Sequence, residues 1–330
     1  MAYHVYGIGN ALVDMEFEVA DTFLQENGIE KGLMTLIDES QQQQLSNSLT
    51  STYQLAKRTG GGSAANTIVA ISELGGNAFY ACKVADDEGG EFYMNDLHQA
   101  GVTTRLDQMK HTGVTGKCMV MVTPDAERTM NTFLGITTDF SVNELHFEDL
   151  KQAEYIYAEG YLVTSDVSRA AVLEARKVAA ANSVKTAFTF SDPSMVTYFR
   201  DGVAEIIGDG VDILFSNQEE ATIFTGEENL DDAIAELQKL CSTLVLTLGS
   251  QGAMVIKGDE RIMVEPVPTK AIDTNGAGDM FAGAFMYGIT HGFSELKAGN
   301  LASEAASIIV SRFGTRLEAS EKQYLTDKYC

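Results

Sequence analysis

The run Asp273-Thr274-Asn275-Gly276-Ala277-Gly278-Asp279 sets a carboxylate beside a segment built to receive an anion. Gly276, Ala277 and Gly278 let the backbone approach a ligand closely and turn through conformations closed to bulkier residues. The small and apolar residues after them, from Met280 to Gly288, read as a buried helix. A glycine-rich turn opening a helix presents unpaired N–H groups and the positive end of the helix dipole. Asp279 stands at that end with two readings: it caps the helix, or it takes a proton from a hydroxyl that attacks a phosphate held by the turn.

A second glycine run, Gly60-Gly61-Gly62-Ser63-Ala64-Ala65-Asn66-Thr67, opens another helix. Ile68, Ala70, Ile71 and Leu74 supply its buried stripe, and Gly75-Gly76 stops it. Alone, three glycines fit a flexible linker as well as a ligand loop. Two glycine-opened helices with polar first turns suit a ligand that carries both hydroxyls and phosphates. Neither run follows the Walker A pattern or the Gly-x-Gly-x-x-Gly dinucleotide pattern.

The elements that must position these runs alternate along the chain. Strands are expected at Val5 to Gly9, Ala78 to Val84, Tyr155 to Tyr157, Thr186 to Phe190, Ile213 to Ser216 and Leu244 to Thr247. Helices are expected over Asp87 to Ala100 and from about Ser165 to Asn182, with a surface helix between Glu39 and Leu49. Such β-α repetition predicts a mainly parallel sheet with helices on both faces. Open sheets of this kind bind ligands beyond the carboxyl ends of their strands. Asn10, Asp14, Asp192, Asn217, Glu220, Thr247 and Gly249 all follow predicted strands, so one crevice can collect them. Phe17 to Ile37 and Gly113 to Leu134 break the rhythm, being strand-rich with a turn at Pro124-Asp125-Ala126-Glu127.

Composition sets the bounds. With 330 residues and 45% hydrophobic content, the chain can bury a full core as one large domain with a small appendage. No stretch approaches the roughly 18 uninterrupted apolar residues of a membrane span, and no leader precedes Tyr3-His4-Val5-Tyr6. Cys82, Cys118, Cys241 and Cys330 are widely spaced and read as reduced thiols, so the expected compartment is the cytoplasm. The five histidines form no ligand spacing. A formal charge of −24 argues against a nucleic-acid partner, which needs a basic surface. A phosphate ligand must then be met by backbone N–H groups, a helix dipole, Mg²⁺ and a few cationic side chains.

The two glycine motifs, in this order, resemble the two signatures of the PfkB, or ribokinase-like, sugar and nucleoside kinases. Similarity runs over essentially the whole chain. It takes in Tyr6-Gly7-Ile8-Gly9-Asn10-Ala11-Leu12-Val13-Asp14, Asn217-Gln218-Glu219-Glu220 and Thr247-Leu248-Gly249-Ser250-Gln251-Gly252. Within the family, Asn275, and Asn10 with Asp14, look most like adenosine kinases; ribokinases and fructokinases more often carry Thr or another residue where Asn275 stands. The resemblance implies a single three-layer α/β/α domain over residues 1–330, with a central, mainly parallel sheet. It also implies a small β-sheet lid from about 14–37 and 104–135.

The family chemistry is transfer of the γ-phosphoryl group of ATP, most like adenosine to AMP. Inosine, guanosine or a free sugar is the alternative acceptor, and a nucleotide or sugar sensor without turnover is the reading from another class. Carried onto this chain, Asp279 is the general base, and the N–H groups of Asn275, Gly276, Ala277 and Gly278 form the anion hole. Arg128, beside the lid turn, swings onto the transferred phosphate when the lid closes, or is a solvated hairpin arginine. Asn10 and Asp14 clamp the ribose hydroxyls, with Gly62, Ser63 and Asn66 completing the site. Met34, Phe133, Leu134, Ile136 and Tyr161 are candidates for the base, although apolar lid residues would also pack the lid in any case. Asn217 and Glu220 organise Mg²⁺ and phosphate largely through water, with an ordinary first-turn helix acid as the alternative reading of Glu220. Thr247 and Gly249 meet the triphosphate, and Gly252 shapes their turn. A K⁺ site near Asp273 and the Gly314 loop is a further family feature.

Overall fold

The computed structural model describes residues 2–125 and 127–330; Ala126, within the expected lid turn, lies outside them. The chain folds into two sheets. The larger collects β1 (Tyr3–Ile8), β5 (Ala78–Ala81), β8 (Ala153–Glu159), β9 (Lys185–Thr189), β10 (Val211–Asn217), β11 (Cys241–Thr247), β12 (Ala253–Lys257) and β13 (Glu260–Val264). Their order is β13-β12-β11-β10-β9-β8-β1-β5. Every neighbouring pair from β5 to β11 is parallel, and β12 and β13 turn back antiparallel at one edge. The parallel strands are apolar on both faces because helices cover both. One core lies under the helices Ser63–Glu73, Ala277–Thr290 and Glu295–Val310, and a second lies under Asp166–Ala181 and its neighbours.

The smaller sheet comprises β2 (Leu12–Glu18), β3 (Met34–Leu36), β4 (Leu55–Gly61), β6 (Gly116–Val122) and β7 (Arg128–Phe133), in the order β3-β7-β6-β2-β4. Strand alternation gives it two different faces. Phe17, Met119 and Met121 pack outward against Phe23, Leu24, Leu45 and Leu49 of the helices Asp21–Glu26 and Glu39–Thr52. Leu12, Asp14, Cys118, Val120, Met130 and Thr132 face inward over the cleft. The strand-rich segments expected between residues 14–37 and 104–135 are therefore joined by β4, a strand the sequence reading passed over. Its run Leu55-Ala-Lys-Arg-Thr-Gly-Gly carries little of the apolar content that marks strands.

Two loop ends meet at Gly62. This residue has φ 108°, and a Cβ there would lie 2.4 Å from the carbonyl oxygen of Asn10. Only glycine lets the second glycine run touch the end of β1 in this way.

Candidate active site

A cleft of about 470 Å³ opens between the carboxyl ends of the parallel strands and the inner face of the lid sheet. Five of the six parallel strands deliver a polar residue at or just past their ends, as open α/β sheets do. Asn10 follows β1, Glu159 ends β8, Asp192 follows β9, Asn217 ends β10 with Glu220 in the next helical turn, and Thr247 ends β11.

Asp279 lies in the first turn of the helix Ala277–Thr290 and lines the cleft. Ser63 Oγ donates to its Oδ1 at 2.7 Å, and Asn66 Nδ2 donates to its Oδ2 at 3.1 Å. Asn66 is itself set by Thr315, whose hydroxyl donates to its Oδ1 at 3.1 Å. Burial pushes the Asp279 carboxyl up to about 6, against the pull of the two donors. That value suits a base working near neutral pH. Ser63 and Asn66, expected at the ribose, thus orient the base from the opposite glycine run.

The anion-binding turn differs in detail from the expectation. The Asn275 N–H is occupied by Asp273 Oδ1 at 3.0 Å, and the Ala277 N–H points to Thr274 O at 3.3 Å. Among the described residues, the amides of Gly276, Gly278 and Asp279 have no hydrogen-bond acceptor. Three free N–H groups remain at the helix start, shifted by one residue from the Asn275-to-Gly278 set. The turn depends on Gly276, whose φ is 73° and whose Cβ would lie 2.5 Å from Thr315 Cγ2.

The acceptor end is organised by Glu159, which sequence reasoning missed. Its Oε1 accepts the Asn10 N–H at 2.7 Å and its Oε2 accepts the Ala64 N–H at 2.6 Å. One fully buried carboxylate therefore ties the loop after β1 to the helix opened by Gly60–Gly62, and burial pushes it up to about 7. An acid followed by glycine at the end of an apolar strand was the available signal. Asn10 Oδ1 accepts the Thr137 hydroxyl at 3.2 Å, and its side-chain amide leans on Glu159. Asp14 sits on the inner face of β2, and a Cβ on Gly61 would fall 2.2 Å from its Oδ2. Burial raises Asp14 to about 7, with Arg316 and Arg128 pulling it down.

Above Asp14 the lid presents Leu12, Met34, Leu36, Val120, Met130 and Leu134, and Tyr161 lines the cleft from the main domain. Phe133 and Ile136 do not line it. On β7 the inward residues are Met130 and Thr132, which sends the intervening Asn131 and Phe133 to the other side. Ile136 packs over Gly113, where its Cγ2 occupies the space of a Cβ.

At the phosphate end, Asn217 and Glu220 form a reciprocal cap. Asn217 Oδ1 accepts the Glu220 N–H at 2.8 Å, and Glu220 Oε2 accepts the Asn217 N–H at 2.8 Å. The helix-acid reading of Glu220 is thus realised, with one carboxylate oxygen outside the cap. Burial raises Glu220 to about 7, and Asp192 adds to the rise. Thr247 lines the cleft; Gly249 and Gly252 lie outside the lining and shape the turn into β12. Among the described residues no cluster of three or more metal-ligating side chains exists, and no Lys or Arg lines the cleft. A bound polyphosphate would meet free amides and a carboxylate, and Glu220 is the side chain there that could hold a divalent cation.

Arg128 does not face the cleft. Its Nη2 lies 2.9 Å from Glu16 Oε2 and 3.0 Å from Asp273 Oδ2, with the side chain 10% exposed. The burial is not that of a solvated hairpin arginine; the expected contact with the transferred phosphate requires the lid to close and Arg128 to swing out of this ion pair. No helix among the described residues is long and apolar enough to cross a membrane.

Comparison with known proteins places this geometry. The pfkB family of carbohydrate kinases matches residues 33–322. The adenosine kinase of Saccharomyces cerevisiae is 28% identical over 304 residues, covering 86% of this chain and 88% of the yeast protein. An adenosine kinase from Sinorhizobium meliloti superposes with a TM-score of 0.89 at 35% identity, covering 99% of this chain and 100% of that one. A probable sugar kinase from Rhizobium etli superposes with a TM-score of 0.89 at 32% identity, covering 99% and 98%. The two-sheet architecture is the ribokinase-like α/β fold.

Proposed function

The chain belongs to the pfkB family of carbohydrate kinases and is a phosphotransferase with an alcohol acceptor; we propose that the acceptor is the ribose 5′-hydroxyl of a purine nucleoside, adenosine above others. The observation that carries this reading is Asp279, held by Ser63 and Asn66 at the mouth of a helix whose Gly276, Gly278 and Asp279 amides are free. The adenosine kinases among its relatives add to it.

Asp279 takes the proton of the acceptor hydroxyl as that oxygen attacks phosphorus. The free amides hold the oxygens of the phosphoryl group in transit; a donor of this kind is worth roughly 3–4 kcal/mol. Phosphoryl transfer asks the protein for positioning and charge stabilisation, and these groups supply both. Asp14 and Asn10 hold the vicinal ribose hydroxyls, with Glu159 fixing the Asn10 loop from behind. The apolar lid face formed by Leu12, Met34, Leu36, Val120 and Met130 offers more area than a free sugar can cover. That face favours an acceptor carrying a base. ATP supplies the phosphoryl group, and Glu220 would hold Mg²⁺, which would offset the negative charge of the nucleotide. Thr247 borders the triphosphate, and K⁺ near Asp273 and Gly314 belongs to the same reading.

The test is ADP release with Mg²⁺-ATP against adenosine, inosine, guanosine, cytidine, ribose and fructose, with and without K⁺. Preference for adenosine supports the nucleoside pocket. Preference for ribose or fructose keeps the Asp279 chemistry and discards the lid assignment. Binding without ADP release from any acceptor points to a sensor.

A further inference from the structure

Three consecutive residues in the segment between the helices Glu295–Val310 and Ala319–Tyr329 grip the second glycine run and its helix. Thr315 Oγ1 donates to Asn66 Oδ1 at 3.1 Å, Arg316 Nη2 donates to Gly60 O at 2.6 Å, and the Leu317 N–H donates to Glu73 Oε2 at 3.1 Å. Those partners stand within, before and at the end of the helix Ser63–Glu73. Arg316 is held in turn by Asp96 at 3.0 Å, and its carbonyl oxygen accepts Arg312 Nη2 at 2.6 Å.

Of the three, Thr315 reaches the base. It is 8% exposed and Asn66 is 7% exposed. An asparagine amide fits its site in two orientations of nearly the same shape, which exchange its donor and acceptor ends. The Thr315 hydroxyl donates to Oδ1, and this turns the Nδ2 donor toward Asp279 Oδ2 at 3.1 Å. A flipped amide would set its oxygen against the Asp279 carboxylate. Asn66 Oδ1 accepts no other hydrogen bond among the described residues, and a buried acceptor left unpaired is costly. The Thr315 methyl has separate work: its Cγ2 fills the space beside Gly276, where a Cβ would lie 2.5 Å away. A β-branched side chain is stiff about χ1, so hydroxyl and methyl are set together. Besides Ser63 and Asn66, the groups that face Asp279 are Asp14 of β2, Tyr157 and Glu159 of β8, and Tyr161. Thr315 hydrogen-bonds to none of these four among the described residues, so its influence on the base passes through Asn66.

We propose that Thr315 is a positioning residue whose hydroxyl locks the Asn66 amide in the orientation that serves Asp279. The inference rests on the kinase reading above for its effect on turnover, although not for its geometry. Thr315→Val removes the hydroxyl and keeps a branched side chain beside Gly276, whereas Thr315→Ser keeps the hydroxyl. ADP release across pH 4.5–8, with any acceptor that turns over, separates them. Thr315→Val should displace the acid limb of kcat/KM upward by about half to one pH unit, because an ionised carboxylate that loses a donor binds its proton more tightly. Thr315→Ser should keep the parental limb. A merely structural role would lower the rate at every pH and leave the limb in place. A parental limb in Thr315→Val, or the same displacement in both variants, would overturn the proposal.

Carbon-13 NMR of the aspartate carboxyls decides the same point on the free protein. The Asp279 signal, identified by its absence from Asp279→Asn, should titrate at higher pH in Thr315→Val than in the parent or Thr315→Ser. Equal midpoints in all three refute the link. Silence with every acceptor would sink the nucleoside-kinase reading while leaving this titration decisive.

Discussion

Replacing Asp279 by Asn removes the base while keeping the shape of its site. The carboxylate accepts from Ser63 Oγ at 2.7 Å and from Asn66 Nδ2 at 3.1 Å. An amide can place its oxygen toward Asn66 and its NH₂ toward Ser63, because a hydroxyl accepts as readily as it donates. Fold and ATP binding should therefore survive. Loss of a positioned general base costs roughly 10²–10⁴ in rate, or roughly 3–5 kcal/mol in the barrier. The pH profile gives a sharper test. With the carboxyl raised to about 6, the ionised form dominates at neutral pH, so kcat/KM should fall about tenfold per unit below pH 6. Asp279→Asn should abolish that acid limb along with most of the rate. The assay is ADP release across pH 4.5–8, with circular dichroism and ATP titration as controls. An unchanged acid limb in the variant, or a rate within about threefold of the parent, removes Asp279 from the mechanism.

Four further outcomes are expected. Asp14→Asn should raise the acceptor KM about tenfold through a weakened hydrogen bond to a charged group and leave the ATP KM alone; an unchanged acceptor KM rules out the clamp. Glu159→Gln turns an NH₂ toward one of the two amides the carboxylate now accepts. It should cost about 1–3 kcal/mol in urea denaturation and raise the acceptor KM, whereas parental stability would show that the loops do not depend on it. Gly276→Ala forces a side chain onto φ 73° and against Thr315. A loss of about 1–3 kcal/mol by denaturation is expected, along with a lower kcat, and neutrality in both would contradict the strained turn. For Glu220, the folded value of about 7 lies above that of an unfolded carboxyl, so the folded state binds the extra proton and stability falls as pH rises between the two. Glu220→Gln should gain on the parent by about 1–3 kcal/mol between pH 4.5 and 8; a difference flat in pH would deny the shift.

The strands that read clearly are those buried on both faces. β8, β9, β10 and β11 are short apolar runs bounded by polar residues, and burial on both faces is what writes such runs into a sequence. β4 escaped because Leu55–Gly61 is half-exposed and ends in glycine, and its strand character comes from pairing with β2. Lid register was equally out of reach. The inward face of β7 takes Met130 and Thr132 in place of Phe133, and a slip of one residue exchanges the faces of a strand. Ile136 fell short for a similar reason, its packing being against Gly113, distant in sequence.

By itself the sequence determined the alternation of elements, the two glycine-opened helices and the carboxylate beside the second of them. These are local matters of residue size, backbone freedom and hydrophobic period. Tertiary structure decided who touches whom. It joined Ser63 and Asn66 to Asp279, gave the Asn10 loop and the helix after Gly62 to Glu159, turned the Asn275 amide inward to Asp273 and set Arg128 in a buried ion pair. Each of these contacts depends on orientation and on competition among partners far apart in the chain. The spacing of residues records which groups are present, while the packed fold alone fixes which acceptor each donor finds.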